Sequence, residues 1–418
     1  MKNKKLVIGC SAALVVFITL IGIAVGLFYA KVYRPFLSSG TEMPAEIKEP
    51  RIIAGESLLT RTEYLKFDGG DSSRVSGIGK INDLMVRTAK NSSDIEIIIA
   101  GTNGAIIADR NAEKRSSIKY QFETANNAPG PVLTENKNET IGFRQIVDLE
   151  NDQVYEYLGR GGIEGAAVFD HEGKHLWGYG AFTDNKTSID NMAAGDVDGD
   201  GIAEFVALWD GLELFDRKGA RIWKQETGFI NYQAEIVDTD GNGKNEIIYS
   251  TGTDMTIRDA EGNIIKRVDM PFYISNFTIC HFPEKKDQFC VMAVEEGYIW
   301  LVDFKGEVVV KFQAPLSDLE GGGVETPEGM IGGTSVYRSK GLWVNLVKDE
   351  SGYLAVITEY AGLDRSVLYV YKPSGQLVYH EVLPEQCTSI AVWPKSGADD
   401  VEGLLVGGER TIWRYSIR

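Results

Sequence analysis

A phrase of the form apolar-apolar-Asp-x-x-Gly-x-x-apolar recurs along this chain. It reads Val168-Phe-Asp-His-Glu-Gly-Lys-His-Leu-Trp177, Leu214-Phe-Asp-Arg-Lys-Gly-Ala-Arg-Ile-Trp223, Ile257-Arg-Asp-Ala-Glu-Gly-Asn-Ile-Ile265 and Leu301-Val-Asp-Phe-Lys-Gly-Glu-Val-Val309. Its aspartates, Asp170, Asp216, Asp259 and Asp303, stand 46, 43 and 44 residues apart. A period of that length holds one small four-stranded sheet, which cannot cover both of its apolar faces alone. Copies must therefore stack around an axis, and the chain reads as an all-β propeller.

Short runs rich in Val, Ile, Tyr and Trp, bounded by Gly, Asp and Asn, supply the strands. Within each period an acidic loop joins the first two strands, and the Asp-x-x-Gly turn joins the third to the fourth. Ile97–Ile107, ending at Asp109, supplies an early copy; Val367–Tyr379, with Lys372 in place of the Asp, supplies a late one. The pattern restarts at Ile390–Trp393 and reaches Leu404–Ile417, where the chain stops after three strands. Leu58–Phe67 has strand composition and no sheet of its own, so it is the expected fourth strand of that last blade. The tally is seven four-stranded blades over residues 57–418, with the tract Gln313–Leu342 counted as an insertion. Six and eight blades stay open on the same pattern.

The acidic loops carry the chemistry. In Ala194-Gly-Asp-Val-Asp-Gly-Asp-Gly-Ile-Ala-Glu204, carboxylates stand at every second position (Asp196, Asp198, Asp200), glycines bend the backbone between them, and Glu204 follows at the ninth position. The set recurs with the same offsets as Asp238, Asp240, Asn242 and Glu246, with Ile202 and Lys244 as backbone-carbonyl donors. An all-oxygen cage of this kind suits calcium. A third set, Asp148, Glu150, Asp152 and Glu156, keeps the offsets without the glycines and is a doubtful site. All donors come from one local loop and saturate the ion, whereas a catalytic metal keeps an open position. The expected role is structural.

These loops resemble those of the FG-GAP or VCBS-type repeat proteins, whose blades are similar to the N-terminal propeller of integrin α-subunits. The resemblance rests on Asp196–Glu204 and Asp238–Glu246, and more loosely on the blades from about residue 80 onward. It implies a propeller whose loops bind calcium through the residues just named. Laid on the repeat, Cys290 falls where a ligating Glu would stand, and Cys280 near the first-ligand position of the same hairpin. A disulfide between them would replace the ionic staple with a covalent one; two buried thiols are the rival reading.

Residues 1–5, Met-Lys-Asn-Lys-Lys, precede Leu6–Ala30, a run with no charged residue. As a helix that run reaches roughly 37 Å at about 1.5 Å per residue, enough for a bilayer core of about 30 Å. Lysines before it in an otherwise acidic chain keep the N-terminus cytoplasmic. The expectation is a single-pass signal anchor at 6–30, a juxtamembrane linker at 31–56 carrying Pro35, Pro44 and Pro50, and a propeller outside the cytoplasm, periplasmic or at the cell surface. A cleaved signal peptide is the rival reading of the same run.

The net charge of −17 argues against a nucleic-acid partner, because phosphate binding is driven by Lys and Arg. No Gly-x-Ser-x-Gly and no His-Glu-x-x-His occurs, and the Gly-rich tract Gly321–Gly333 lacks the Gly-Lys-Ser/Thr of a phosphate loop. The reading is a calcium-stabilised binding or scaffolding module for protein or glycan partners. The alternative is a carbohydrate-active propeller enzyme, a polysaccharide lyase or glycosidase. A cluster of Arg, Lys, His and Tyr at the axial mouth would favour the lyase; an apolar or acidic mouth would favour binding.

Overall fold

The computed structural model describes residues 50–417 except 56–57, 68, 71–73, 76–77, 79–80, 90–93, 121–141, 162–164, 181–190, 209–210, 227–232, 275–276, 283–284, 296–297, 315–323, 327–328, 332–335, 347–351, 361–364 and 396–401. The expected anchor at Leu6–Ala30 and most of the linker lie outside the described residues. Among those described, no helix is long and apolar enough to cross a membrane.

Seven antiparallel sheets follow one another along the chain. The first blade is Ile81–Thr88, Ile95–Gly101, Gly104–Asp109 and Lys114–Lys119. The second is Gly142–Val147, Glu156–Gly161, Gly165–Phe169 and His175–Gly180; the third is Asn191–Gly195, Glu204–Leu208, Leu212–Phe215 and Arg221–Gln225. The fourth is Ala234–Val237, Glu246–Ser250, Asp254–Arg258 and Ile264–Asp269; the fifth is Thr278–Phe282, Lys285–Glu295, Tyr298–Asp303 and Val308–Gln313. The sixth is Val336–Val344, Tyr353–Tyr360, Ser366–Tyr371 and Leu377–Val382. The seventh is Cys387–Trp393, Gly403–Gly408 and Thr411–Ile417, completed by Leu59–Lys66 from the other end of the chain. The first strands of successive blades touch one another all the way round, the seventh closing on the first. The ring therefore has seven blades with the first strand of each lining its axis.

One boundary differs from the pattern read in the sequence. The tract Gln313–Leu342 is an insertion only in its first part, because Val336–Val344 is the axial strand of the sixth blade. Its polar Arg338, Ser339 and Lys340 masked the strand, since an axial strand need not alternate like a half-exposed one. A hairpin, Val324–Thr326 with Gly329–Ile331, belongs to a compact unit other than that of the blades.

The cores lie between blades. Second and third strands read as nearly continuous apolar runs because a neighbouring sheet covers each face; Glu204–Leu208 and Leu212–Phe215 are buried throughout. Leu158 and Val168 of the second blade pack with Phe205 and Phe215 of the third, and Ile257 of the fourth with Val291 and Trp300 of the fifth. Between the fifth and sixth, Phe312 stacks on Tyr371 at 5.0 Å, and the Tyr371 hydroxyl donates to the Gln313 carbonyl. Burial at this density supplies the main driving force for closing the ring.

In the fourth, fifth and sixth blades the turn leans on its predecessor. Gly262, Gly306 and Gly375 lie against Trp223, Asp269 and Phe312 of the preceding blade, where a Cβ would come within 2.8–3.1 Å. The seventh blade has no third-to-fourth turn, because its fourth strand arrives from the N-terminus. Gly55, at φ 78°, fills that place, with its backbone against Val378 and Tyr379 of the sixth blade. Before it, Arg51–Ala54 adds a fifth strand to the sixth blade; after it, Leu59–Lys66 pairs with Thr411–Ile417.

One buried charge fixes this clasp. Glu381, 1% exposed, accepts hydrogen bonds from Tyr379 (2.7 Å) and Tyr415 (2.9 Å) and pairs with Arg61 of the closing strand. Removing the guanidinium strands a carboxylate inside the protein, a loss of about 3 kcal/mol for a buried pair. Arg61→Ala is expected to lower unfolding free energy by about that amount in urea titrations. A loss under about 1 kcal/mol would show that the pair is not a clasp.

Candidate functional site

Because every blade repeats the same strand order, the loops from first to second strand emerge on one face of the ring. Three consecutive loops there share a backbone plan. In the third blade Asp196 accepts from the N–H groups of Gly199 (2.7 Å) and Gly201 (2.9 Å), and Glu204 accepts from Val197 (2.9 Å). In the fourth, Asp238 accepts from Gly241 (2.7 Å) and Gly243 (2.8 Å), and Glu246 from Thr239 (2.7 Å). In the second, Asp148 accepts from Asp152 and Gln153, and Glu156 from Leu149 (3.0 Å).

The same plan needs left-handed backbone at two positions. Gly199 and Gly201 supply it in one loop, Gly241 and Gly243 in the next. In the second blade those positions are Asn151 (φ 52°) and Gln153 (φ 65°), so the loop reaches the shared turn without glycine. Side chains there meet steric cost that glycine avoids.

The loops differ in what they gather. Among the described residues, ligand oxygens of Asp196, Asp198 and Glu204 lie within 4.8 Å of one another, as do those of Asp238, Asp240 and Glu246. Asp200 and Asn242 use their side-chain oxygens to accept from Ile202 (2.7 Å) and Lys244 (2.8 Å). The loop at Asp148, Glu150, Asp152 and Glu156 makes no such group; its Glu150 is held by Arg217 of the third blade at 2.6 Å.

Burial raises the ninth-position glutamate in all three loops. Burial, reinforced by Asp198, Asp200 and Asp196, pushes Glu204 up to about 7 against the hydrogen bond from Val197. Glu156 rises to about 7 for the same first reason, and burial raises Glu246 against its bonds from Thr239. A hard cation would offset the burial, and the lesser repulsion, that raise Glu204 and Glu246. The oxygen-only donor set and its spacing fit such an ion.

Strand pairing shows a wider equivalence that the acidic motif alone does not reveal. Glu96 pairs with the turn aspartate Asp109 and Cys290 with Asp303; Glu156, Glu204 and Glu246 come one residue before Tyr157, Phe205 and Ile247, whose partners Phe169, Phe215 and Arg258 immediately precede Asp170, Asp216 and Asp259. Glu96 is met by Arg87 at 2.8 Å, and Arg87 also donates to the Gln153 carbonyl at 2.7 Å. Counting 13 residues back from Asp109 would have found Glu96. Cys290 faces Cys280 across the hairpin with sulfurs 3.4 Å apart, both buried and both thiols here. The hydrogen bond with Cys280, then burial, raises the Cys290 thiol far above its ordinary range.

The loops are also joined to one another. Ala203 donates to the Leu149 carbonyl at 2.9 Å, and the Asn245 amide to the Asp196 carbonyl at 2.6 Å.

At the axis, three blades bring charges together. Lys340 of the sixth blade reaches Asp83 of the first at 3.2 Å, past the axial strand of the seventh. Asp83 also accepts from the Ile146 N–H of the second blade at 3.3 Å. Glu235 of the fourth lies near enough for Lys340 to attract its charge and Asp83 to repel it, and burial pushes its carboxyl up. Gln233 donates to Glu235 at 3.0 Å, and Gln145 exchanges hydrogen bonds of 2.8 and 3.0 Å with the Ala194 backbone. Lys340 thus stands between two acids, Asp83 and Glu235, and links the blades that carry them.

No protein-family model matches the chain, and no curated protein does. Among solved structures, BBS1N in complex with ARL6DN is similar at 10% identity with a TM-score of 0.50, over 85% of this chain and 98% of that one. The Pan2 WD40 domain of Neurospora crassa is similar at 12% identity and a TM-score of 0.46, over 81% and 89%. BamB of Moraxella catarrhalis is similar at 11% identity and 0.41, over 88% and 94%. At these identities the likeness is one of fold.

The loop plan yields a stability test. Gln153→Gly relieves a side chain in left-handed backbone and is expected to raise unfolding free energy by about 0.5–1 kcal/mol, net of the added chain entropy. Urea titration showing a loss instead would mean that the Gln153 side chain holds the loop.

Proposed function

We propose that this chain is an FG-GAP/VCBS-type propeller, held to a membrane by Leu6–Ala30 and working outside the cytoplasm as a calcium-stiffened binding module. Asp196, Asp198, Asp200, Ile202 and Glu204 hold one ion, and Asp238, Asp240, Asn242, Lys244 and Glu246 a second. The observation that carries the calcium part is the contrast among loops on one face. Where the chain supplies an arginine, at Glu96 and Glu150, the carboxylates are neutralised internally; the two gathered loops have no such ion pair among the described residues. At a dissociation constant of about 0.1 mM and about 1 mM free ion, each site adds roughly 1.4 kcal/mol to the folded state.

The binding role draws on the axis and on a neighbour of similar fold. Among the described residues Asp83, Glu235 and Lys340 form a braced, net-acidic set at the axis, and an acidic mouth is what the binding reading expects. BBS1N was crystallised with a protein partner, and the present chain is read as engaging a protein or glycan partner on surfaces that its rigid blades hold in place.

The test is crosslinking of the full-length protein in native membranes, with calcium and with a chelator, followed by identification of what is captured. A defined protein or glycan retained with calcium and lost with chelator is expected. Capture of nothing under either condition would remove the binding-module reading.

A further inference from the structure

The outer strand of each blade ends its sheet, and the sixth blade shows what such an edge accepts. There Arg51–Ala54 runs antiparallel to Leu377–Val382, with Arg51 opposite Val382 and Ile52 opposite Glu381. The residues five and six places after the turn residue Lys372 are Leu377 and Val378. Both are half-buried, and Val378 packs in one cluster with Ile52 and Leu58 of the added segment.

The equivalent places in the fourth blade, counted from Asp259, are Ile264 and Ile265, which are 41% and 56% exposed. Successive strand residues point to opposite sheet faces, so both faces of this edge end in an exposed aliphatic side chain. Leu176 and Ile222 repeat the exposed residue in the second and third blades, and Val308 with Val309 repeats the pair in the fifth. Scattered surface aliphatics need no explanation, but recurrence at one repeat position in four consecutive blades does. The fourth blade presents it most openly, since Ile264, Ile265, Lys266 and Arg267 are all exposed.

Charge selects the kind of strand that fits. In a chain of net charge −17, the outer strands Lys114–Lys119, Arg221–Gln225, Ile264–Asp269 and Val308–Gln313 contain Lys and Arg with Asp269 as their one acidic residue. Basic residues on an edge commonly deter pairing with a like strand. Here a second copy pairing antiparallel about the middle of Ile264–Asp269 would set Lys266 against Arg267, and like charges directly opposite are destabilising. An antiparallel strand that sets Asp or Glu opposite both Lys266 and Arg267 and aliphatic residues opposite both Ile264 and Ile265 meets no such penalty.

We infer that the outer edge of the fourth blade, Ile264–Asp269, is a docking site for an extended segment of another protein in which a pair of acidic residues precedes a pair of aliphatic ones. The segment adds as an antiparallel strand, as Arg51–Ala54 does on the sixth blade. This rests on the binding-module reading and gives it a surface and a partner chemistry.

The probe is a fluorescein-labelled peptide carrying Glu-Glu followed by Val-Val, titrated against the full-length protein in nanodiscs. Two controls accompany it, one with Lys in place of Glu and one with alternate amides N-methylated. Micromolar binding of the acidic peptide is expected, at least tenfold weaker for the Lys peptide and abolished by N-methylation. Slowed amide exchange at Ile264–Asp269 should accompany it. Lys266→Glu with Arg267→Glu should invert the charge preference, and Ile265→Ser should weaken binding at least fivefold; all three side chains are exposed, and an unchanged melting temperature would confirm the fold. Equal affinity for the three peptides, protection mapped to another strand, indifference to the substitutions, or self-association of the protein through this edge would each overturn the inference. If membrane crosslinking captures the same partner with wild type and the charge-reversed variant, the edge inference falls while the module reading stands.

Discussion

Closure of the ring is the constraint on which the rest of this molecule depends. Each blade buries both faces only if a neighbour stands on each side, so an open row would leave two apolar sheets facing water. The chain solves this by splitting the seventh blade between its ends, with Leu59–Lys66 lying against Thr411–Ile417. A plain edge-to-edge joint would rest on backbone hydrogen bonds alone. Here the joint is reinforced by Arg51–Ala54 on the adjoining blade, by Gly55 in the place of a missing turn, and by Arg61 reaching the buried Glu381. Specificity of closure comes from that charge, because any other strand in this slot would leave Glu381 uncompensated.

A second regularity follows from the repeat. Continued to the turn aspartate, the same strand pairing reaches one side chain in each of the first five blades, and four of the five are glutamates. Placing acid beside acid is unfavourable, and the blades relieve it differently. Arg87 reaches Glu96, Arg217 reaches Glu150 near Glu156, and the fifth blade has Cys290 instead of a carboxylate. In the third and fourth blades the carboxylates gather around a point where a calcium ion would supply the missing charge. The loops are then variants of one electrostatic problem, and the hydrogen bonds from Ala203 and Asn245 to neighbouring loops tie the solutions together.

Much of this was legible in the sequence, for physical reasons. The Asp-x-x-Gly turn recurs because its glycine takes left-handed backbone and, at Gly173, Gly262, Gly306 and Gly375, lies against the preceding blade, so its spacing measures the blade directly and gave a seven-bladed ring. The loops at Asp196 and Asp238 were legible because left-handed turns call for glycine. That rule hid the likeness of the loop at Asp148, where Asn151 and Gln153 take the same backbone. The axial strand Val336–Val344 was hidden because Arg338-Ser-Lys340 breaks the apolar alternation expected of a half-exposed strand. Asp83, Glu235 and Lys340 could not be grouped in advance, since three different blades bring them together.

The central claim is that two loops on one face are cation sites and that the third is satisfied by the chain itself. Calorimetric titration of calcium into metal-stripped full-length protein tests it most directly. The account predicts two bound ions per chain, one lost with Asp196→Asn and the other with Asp238→Asn, and no change with Asp148→Asn. Absence of any saturable binding, or equal loss on substituting Asp148, would contradict it.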